Sequence, residues 1–117
     1  MRYVIIGNSA TGIGAAESIR AVSKDAKIVI LGDEPEHVYA RPLISHYIAG
    51  EVTPEEMHYR PADFYKRFKI DARLGVRAES LDLAKQAVIL ADGKTVHYDK
   101  LLIATGSLQK FPPIKGR

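Results

Sequence analysis

The sequence predicts an α/β domain, a parallel sheet with an antiparallel β-meander set into the later part of the chain. Three observations carry this. Residues 3–6 and, after Lys27, 28–31 are apolar at consecutive positions, as in strands covered on both faces, and a stretch of helical periodicity separates them. From Ile70 the hydrophobic period drops to two, and a further apolar run at 101–104 then restores the pattern of a buried strand.

Taken in order, Tyr3-Val4-Ile5-Ile6 is the first strand and runs straight into Gly7-Asn8-Ser9-Ala10-Thr11-Gly12. Residues 13–22 read as a helix, with Ile13, Ala16 and Ile19, then Ala15 and Val22, at helical spacing. Gly14, Ala15 and Ala16 are small enough for its first turn to approach the strand. Lys24-Asp25 closes the helix, and residues 27–31 form the second strand of a right-handed βαβ unit, flanked by helices. Residues 32–35 are a turn and 36–40 a loop. Pro42 suits the first position of a short helix ending near Ala49, before Gly50; Pro54 and Pro61 each begin another, 61–68 being the clearer. Residues 71–75, 77–83, 87–91 and 95–98 read as the strands of the meander. Asp92-Gly93 makes one hairpin and 84–86 another turn. The strand at 101–104 ends at Thr105-Gly106, and residues 111–117 read as a linker.

The totals bound what such a domain does. At 117 residues, 46% hydrophobic and 26% charged, the chain is one domain of ordinary globular composition. Without cysteine there is no disulfide framework or thiolate metal site. No apolar run reaches membrane-spanning length and no signal segment precedes the first strand, so a cytoplasmic location is expected. The net charge of +3 is scattered. Arg60, Lys66, Arg67, Lys69, Arg73 and Arg77 do not alternate with stacking aromatics, so neither nucleic acid nor a membrane is an expected partner.

The chemistry concentrates at the glycine turn. A strand that stops at a glycine and reverses into a helix collects free backbone N–H groups and the positive end of a helix dipole, a combination suited to a pyrophosphate. Gly7 and Gly12 hold the first and third positions of a G-x-G-x-x-G turn, with Ser9 in place of the middle glycine. Asp33 follows the second strand about 20 residues on, where a carboxylate meets a ribose hydroxyl. The plain alternative is a simple turn with a surface Asp. Tyr65 and Lys69 form a Tyr-x-x-x-Lys pair as in short-chain dehydrogenases, but they lie too early in the chain, on an amphipathic helix. His37, His46, His58 and His97 have no metal-ligand spacing.

Three segments together carry a resemblance: residues 7–17, then Tyr39-Ala40-Arg41-Pro42-Leu43-Ile44-Ser45, then Leu101-Leu102-Ile103-Ala104-Thr105-Gly106-Ser107. Together they resemble the Rossmann-like FAD domain of the pyridine nucleotide-disulfide oxidoreductase superfamily, nearest its rubredoxin reductase, ferredoxin reductase and nitrite reductase-like branch. The resemblance implies that Gly7, Ser9, Ala10, Thr11 and Gly12 hold the FAD pyrophosphate and that Asp33 and Glu34 meet the adenosine ribose. It implies that Arg41 reaches the phosphates or ribityl chain while Pro42 and Ser45 shape the helix bordering the flavin. Ala78 would contact adenine, and Ala104, Thr105 and Gly106 would pass beside the pyrophosphate. The lack of cysteine near residues 43–45 sets aside branches with a redox cysteine beside the flavin.

By the same resemblance, residues 1–110 are the N-terminal part of an FAD-binding domain, and 111–117 lead toward an NAD(P)H-binding domain not in this chain. The whole protein would pass electrons from NAD(P)H through flavin to a protein or small-molecule acceptor, while this segment alone would not turn over. Weak FAD binding and self-association through an uncovered sheet are expected of the segment. A non-catalytic nucleotide-binding or redox-sensing module remains the alternative.

Overall fold

The computed structural model describes residues 1–107 and 112–116; the boundary expected at 110/111 lies outside the described residues. Strand β1 (Arg2–Ile6) is followed by helix α1 (Ala10–Val22) and strand β2 (Lys27–Gly32). The helix begins before the apolar periodicity does. Ser9 is extended (φ −136°) and its carbonyl accepts the first helical bond, from Ile13 N–H at 2.9 Å. The turn ahead of Ile13 faces the end of the sheet rather than the core, so hydrophobic spacing does not mark it.

Between β2 and the next strand lie three short helical pieces. A 3-10 turn (Arg41–Leu43) leads into α2 (Ile44–Ile48), a second 3-10 turn spans Glu55–Met57, and α3 covers Phe64–Arg67. Pro54 therefore starts a single 3-10 turn rather than an α-helix. Strand β3 (Ile70–Leu74) corrects the sequence reading. It does not belong to the meander but pairs parallel with β2, Ile28 opposite Ile70 and Gly32 opposite Leu74. Its period of two arises because it is an edge strand with only Ile70 buried.

The meander is a separate three-stranded antiparallel sheet of β4 (Ala78–Asp82), β5 (Ala87–Leu90) and β6 (Thr95–His97). Gly93 turns β5 into β6 with φ +88°. Strand β7 (Lys100–Ile103) then returns to the parallel sheet beside β1, giving the order β3-β2-β1-β7. It is not the buried strand its composition implies. Leu101 packs on the core, but Leu102 is 37% and Ile103 59% exposed on an open edge.

Alternation along β1 and β2 divides the core between two faces. Ile5, Ile28 and Ile30 meet Ile13 and Ala16 of α1 and Phe64 of α3. Val4, Val29 and Leu31 meet Val88, Leu90 and Val96 of the meander. One face is thus covered by helices and the other by a second sheet, not by helices on both sides. Each fully buried Val, Leu or Ile contributes about 1.5–3 kcal/mol, so both layers are needed to hold the central strands. At the far end Arg20 fastens the layers. Its guanidinium donates to the carbonyls of Ala26 (2.7 Å), Phe68 (2.8 Å), Lys24 (3.0 Å), Lys69 (3.1 Å) and Ser23 (3.2 Å). Among the described residues no helix is long and apolar enough to cross a membrane.

Candidate functional site

The strand order sets the position of the site. From β1 the chain moves through α1 to β2 on one side, and it returns as β7 on the other, so the β1/β7 boundary is a topological switch point. In open parallel sheets, ligands bind outside the carboxyl ends of the strands at such a point. A cavity of about 230 Å³ lies there, lined from β1 and its turn by Ile6, Gly7, Asn8 and Ser9 and from β2 and its turn by Leu31 and Asp33. Arg41, residues 76–78, Ala104 and Thr105 complete it.

Backbone contact explains both glycines of the turn. Gly7 has φ +126°, and a Cβ there would sit 2.0 Å from the Ala104 carbonyl oxygen. Its N–H donates to Leu31 O (2.9 Å), while Ala104 N–H donates to Ile6 O (2.8 Å). Three strand ends are thereby drawn to one point. A Cβ on Gly12 would meet the Gly7 carbonyl oxygen at 2.1 Å, so Gly12 serves the contact between helix and strand. Gly14 has open space around it and plays no part in that approach.

Arg41 is held in place from three sides. Its Nη2 donates to Glu34 Oε1 (2.7 Å), its Nη1 to the Tyr39 hydroxyl (2.9 Å) and its Nε to Ser9 Oγ (3.1 Å). Tyr39 donates in turn to Glu34 Oε2 (2.9 Å), and the guanidinium lies 4.9 Å from the Tyr39 ring centre. A bridge between Tyr39 and His58 anchors the strand-like segment before Arg41, with Ala40 N–H on Met57 O at 2.6 Å. Burial pushes the Glu34 carboxyl up, but hydrogen bonds from Arg41 and Tyr39 outweigh it and leave the pKa below its ordinary value. Burial and the bond to Glu34 raise the Tyr39 hydroxyl, so it stays a donor. The bond to Glu34, against some burial, raises Arg41. Behind the turn, Tyr65 donates to Asn8 Oδ1 (2.7 Å) and accepts from Val38 N–H (3.2 Å). Burial raises its hydroxyl too.

Gly7, Ser9, Asp33, Arg41, Ala78, Ala104 and Thr105, all named from the sequence, converge on this one cavity. Ala10 and Thr11 stand beside it on the exposed first turn of α1, and Gly12 is buried beneath. Glu34 sits next to the cavity as the partner of Arg41. Pro42, Ser45 and Gly106 do not line it. Asn8 of the glycine turn also lines the cavity, as do Val76 and Arg77, which the sequence does not single out, and Tyr39 holds Arg41 beside it. The fastening of Val76 N–H to Gly32 O (2.8 Å) and Gly75 N–H to Glu34 O (3.1 Å), which brings residues 76–78 to the site, leaves no local sequence signal. His37 and His58 also come together, ring centres 5.0 Å apart, through the Tyr39 bridge.

Chemically, the arrangement offers free N–H groups at a helix start, one oriented cation and one exposed carboxylate. That set suits a phosphate and a ribose hydroxyl side by side. The residues present therefore fit the central part of a dinucleotide. Pockets for whole drug-sized ligands run roughly 300–1,000 Å³, so this one takes only a portion.

A family model described as pyridine nucleotide-disulphide oxidoreductase matches residues 1–117. Among similar proteins, rhodocoxin reductase of Rhodococcus erythropolis is 33% identical over 117 residues, covering 99% of this chain and 27% of that protein. The large subunit of nitrite reductase (NADH) of Escherichia coli is 35% identical over 118 residues, covering 99% of this chain and 14% of its own. The crystal structure of NADH:rubredoxin oxidoreductase from Clostridium acetobutylicum superposes with a TM-score of 0.90 at 25% identity, covering 97% of this chain and 30% of that one. The chain thus spans less than a third of each of these relatives.

Proposed function

Because the chain belongs to the pyridine nucleotide-disulphide oxidoreductase family, we propose that it is the FAD-binding part of an NAD(P)H-dependent flavoprotein reductase. Residues 1–110 act as the first part of the FAD domain and 111–117 as the start of a connection to a nicotinamide-binding domain. The observation that carries this reading is the convergence of Arg41, Ala78 and Ala104-Thr105 on the cavity of the glycine turn. A site for NAD alone calls only for the turn and Asp33. Bound FAD would supply the redox chemistry, taking electrons from a nicotinamide and passing them on. The chain's own residues bind and orient it. The α1 N–H groups and Arg41 neutralise the pyrophosphate, Asp33 accepts from the adenosine ribose, and Ala78 borders the adenine. Acceptors in the family support a partner protein or a small molecule, since the relatives are named for rhodocoxin, rubredoxin and nitrite. The same reading places the protein in the cytoplasm, where NAD(P)H is the available reductant.

Titrating the chain with FAD, FMN and NAD⁺, followed by flavin fluorescence and by competition with ADP, tests this. FAD should bind with a Kd of about 1 μM or weaker, because the cavity covers only part of it, and ADP should displace it. FMN, which lacks the adenosine monophosphate half of FAD and so has no pyrophosphate, should bind far more weakly there. NAD⁺ binding more tightly than FAD, FAD failing to bind at millimolar concentration, or ADP failing to displace it, overturns the assignment.

A further inference from the structure

We propose that the Ser9 side chain is a working part of the phosphate site: it positions Arg41 and donates its hydroxyl proton to the anion, doing what a glycine at that position does not do. The inference rests on the FAD reading above and goes beyond it, because the general G-x-G-x-x-G turn has glycine at this position.

Two observations of different kind support it. Ser9 stands at the N-cap of α1, where a serine ordinarily turns its oxygen onto an N–H of the first turn, yet it makes no such cap. The Oγ is turned instead toward Arg41 and accepts from Nε at 3.1 Å. The N–H groups of Ala10, Thr11 and Gly12, which have no intrahelical acceptor, are therefore left for a ligand rather than covered by the cap. A hydroxyl that accepts from Arg41 still has one proton to give. Ser9 lines the same cavity as Gly7 and Arg41, so an anion at the helix start lies within its reach.

Arg41 completes the argument. Of its five N–H donors, one goes to Ser9, one to Tyr39 and one to Glu34, leaving one each on Nη1 and Nη2. With Nε fixed by Ser9 on one side and Nη2 by Glu34 on the other, the fork has one orientation. Ser9 is thus a positioning residue as well as a direct ligand. Placing the glycine of the general turn pattern at position 9 should weaken binding, although it removes a Cβ from the turn.

The test is FAD affinity of the wild-type chain beside Ser9→Gly, Ser9→Ala, Ser9→Thr, Arg41→Lys and the double variant Ser9→Ala/Arg41→Lys, with circular dichroism to verify folding. Ser9→Gly and Ser9→Ala should each raise the Kd roughly tenfold, as for loss of a hydrogen bond to a charged group, while Ser9→Thr stays within about twofold. Lysine keeps the charge of Arg41 but lacks the Nε donor, so in that background Ser9→Ala loses only its direct bond to the anion, and the double variant should bind worse than Arg41→Lys by clearly less than tenfold. Folded Ser9→Gly binding as tightly as wild type, or additive effects in the double variant, overturns the proposal. If the wild-type chain binds no FAD, it is the FAD reading that fails instead.

Discussion

Gly7 and Gly14 lie seven residues apart and look interchangeable in the sequence, yet they answer to different physics. At Gly7 a side chain meets a backbone carbonyl at 2.0 Å in a left-handed conformation; at Gly14, in the exposed middle of α1, it meets nothing. Gly7→Ala should cost at least ~3 kcal/mol in chemical denaturation, while Gly14→Ala should gain about 0.5–1 kcal/mol from helix propensity. Equal effects would remove the close approach from the account. Glu34 is held by Arg41 and Tyr39 together. Its pKa is lowered from 4.5 by Arg41 and Tyr39, so its contribution is complete above that pH and is lost as pH falls through the lower folded value. Thermal melting of wild type against Glu34→Gln should differ slightly above pH 4.5, by under about 1 kcal/mol for a pair this exposed, and converge in acid. A difference that persists in acid would mean the charge is not its source. Asp33 was legible because its offset from the turn is fixed by one βαβ unit. Tyr39 and Asn8 were not, because their roles depend on partners 5 and 57 residues away, Glu34 and Tyr65.

Among the elements, legibility followed burial. Strands β1 and β2 declare themselves because both faces are covered, so nearly every position is apolar. Strand β3 has the same partner geometry but sits at an edge, and its alternating pattern assigned it to the wrong sheet. Strand β7 erred in the opposite direction, apolar in sequence and open in structure. The start of α1 was hidden because its first turn serves the site instead of the core. Arg20 is the element-level feature that periodicity passes over entirely. Its five carbonyl contacts tie the end of α1 to the starts of β2 and β3. Arg20→Met, which keeps most of the aliphatic length, should lower stability by about 2 kcal/mol in urea denaturation. No change would reduce the clamp to a surface decoration.

For the whole molecule, the layered core explains why a short chain holds its shape. The parallel sheet is sealed by α1 and α3 on one face and by the meander on the other, while among the described residues no strand pairs with the outer edge of β7. That edge carries Leu102 and Ile103 beside unpaired backbone groups, so the chain should self-associate with rising concentration in sedimentation, and Ile103→Lys should suppress it. A monomer at millimolar concentration would contradict the assignment of β7 as a sticky edge. The central claim is that one cavity at the β1/β7 switch point receives FAD. It is tested most directly by amide chemical-shift mapping during FAD titration. The account predicts that the largest changes fall on Gly7, Ser9, Thr11, Asp33, Ala78 and Thr105, with the Arg41 Nε signal moving alongside them. Changes centred on His37, Tyr47 and His58, which line a separate cavity, or no saturable changes at all, would contradict it.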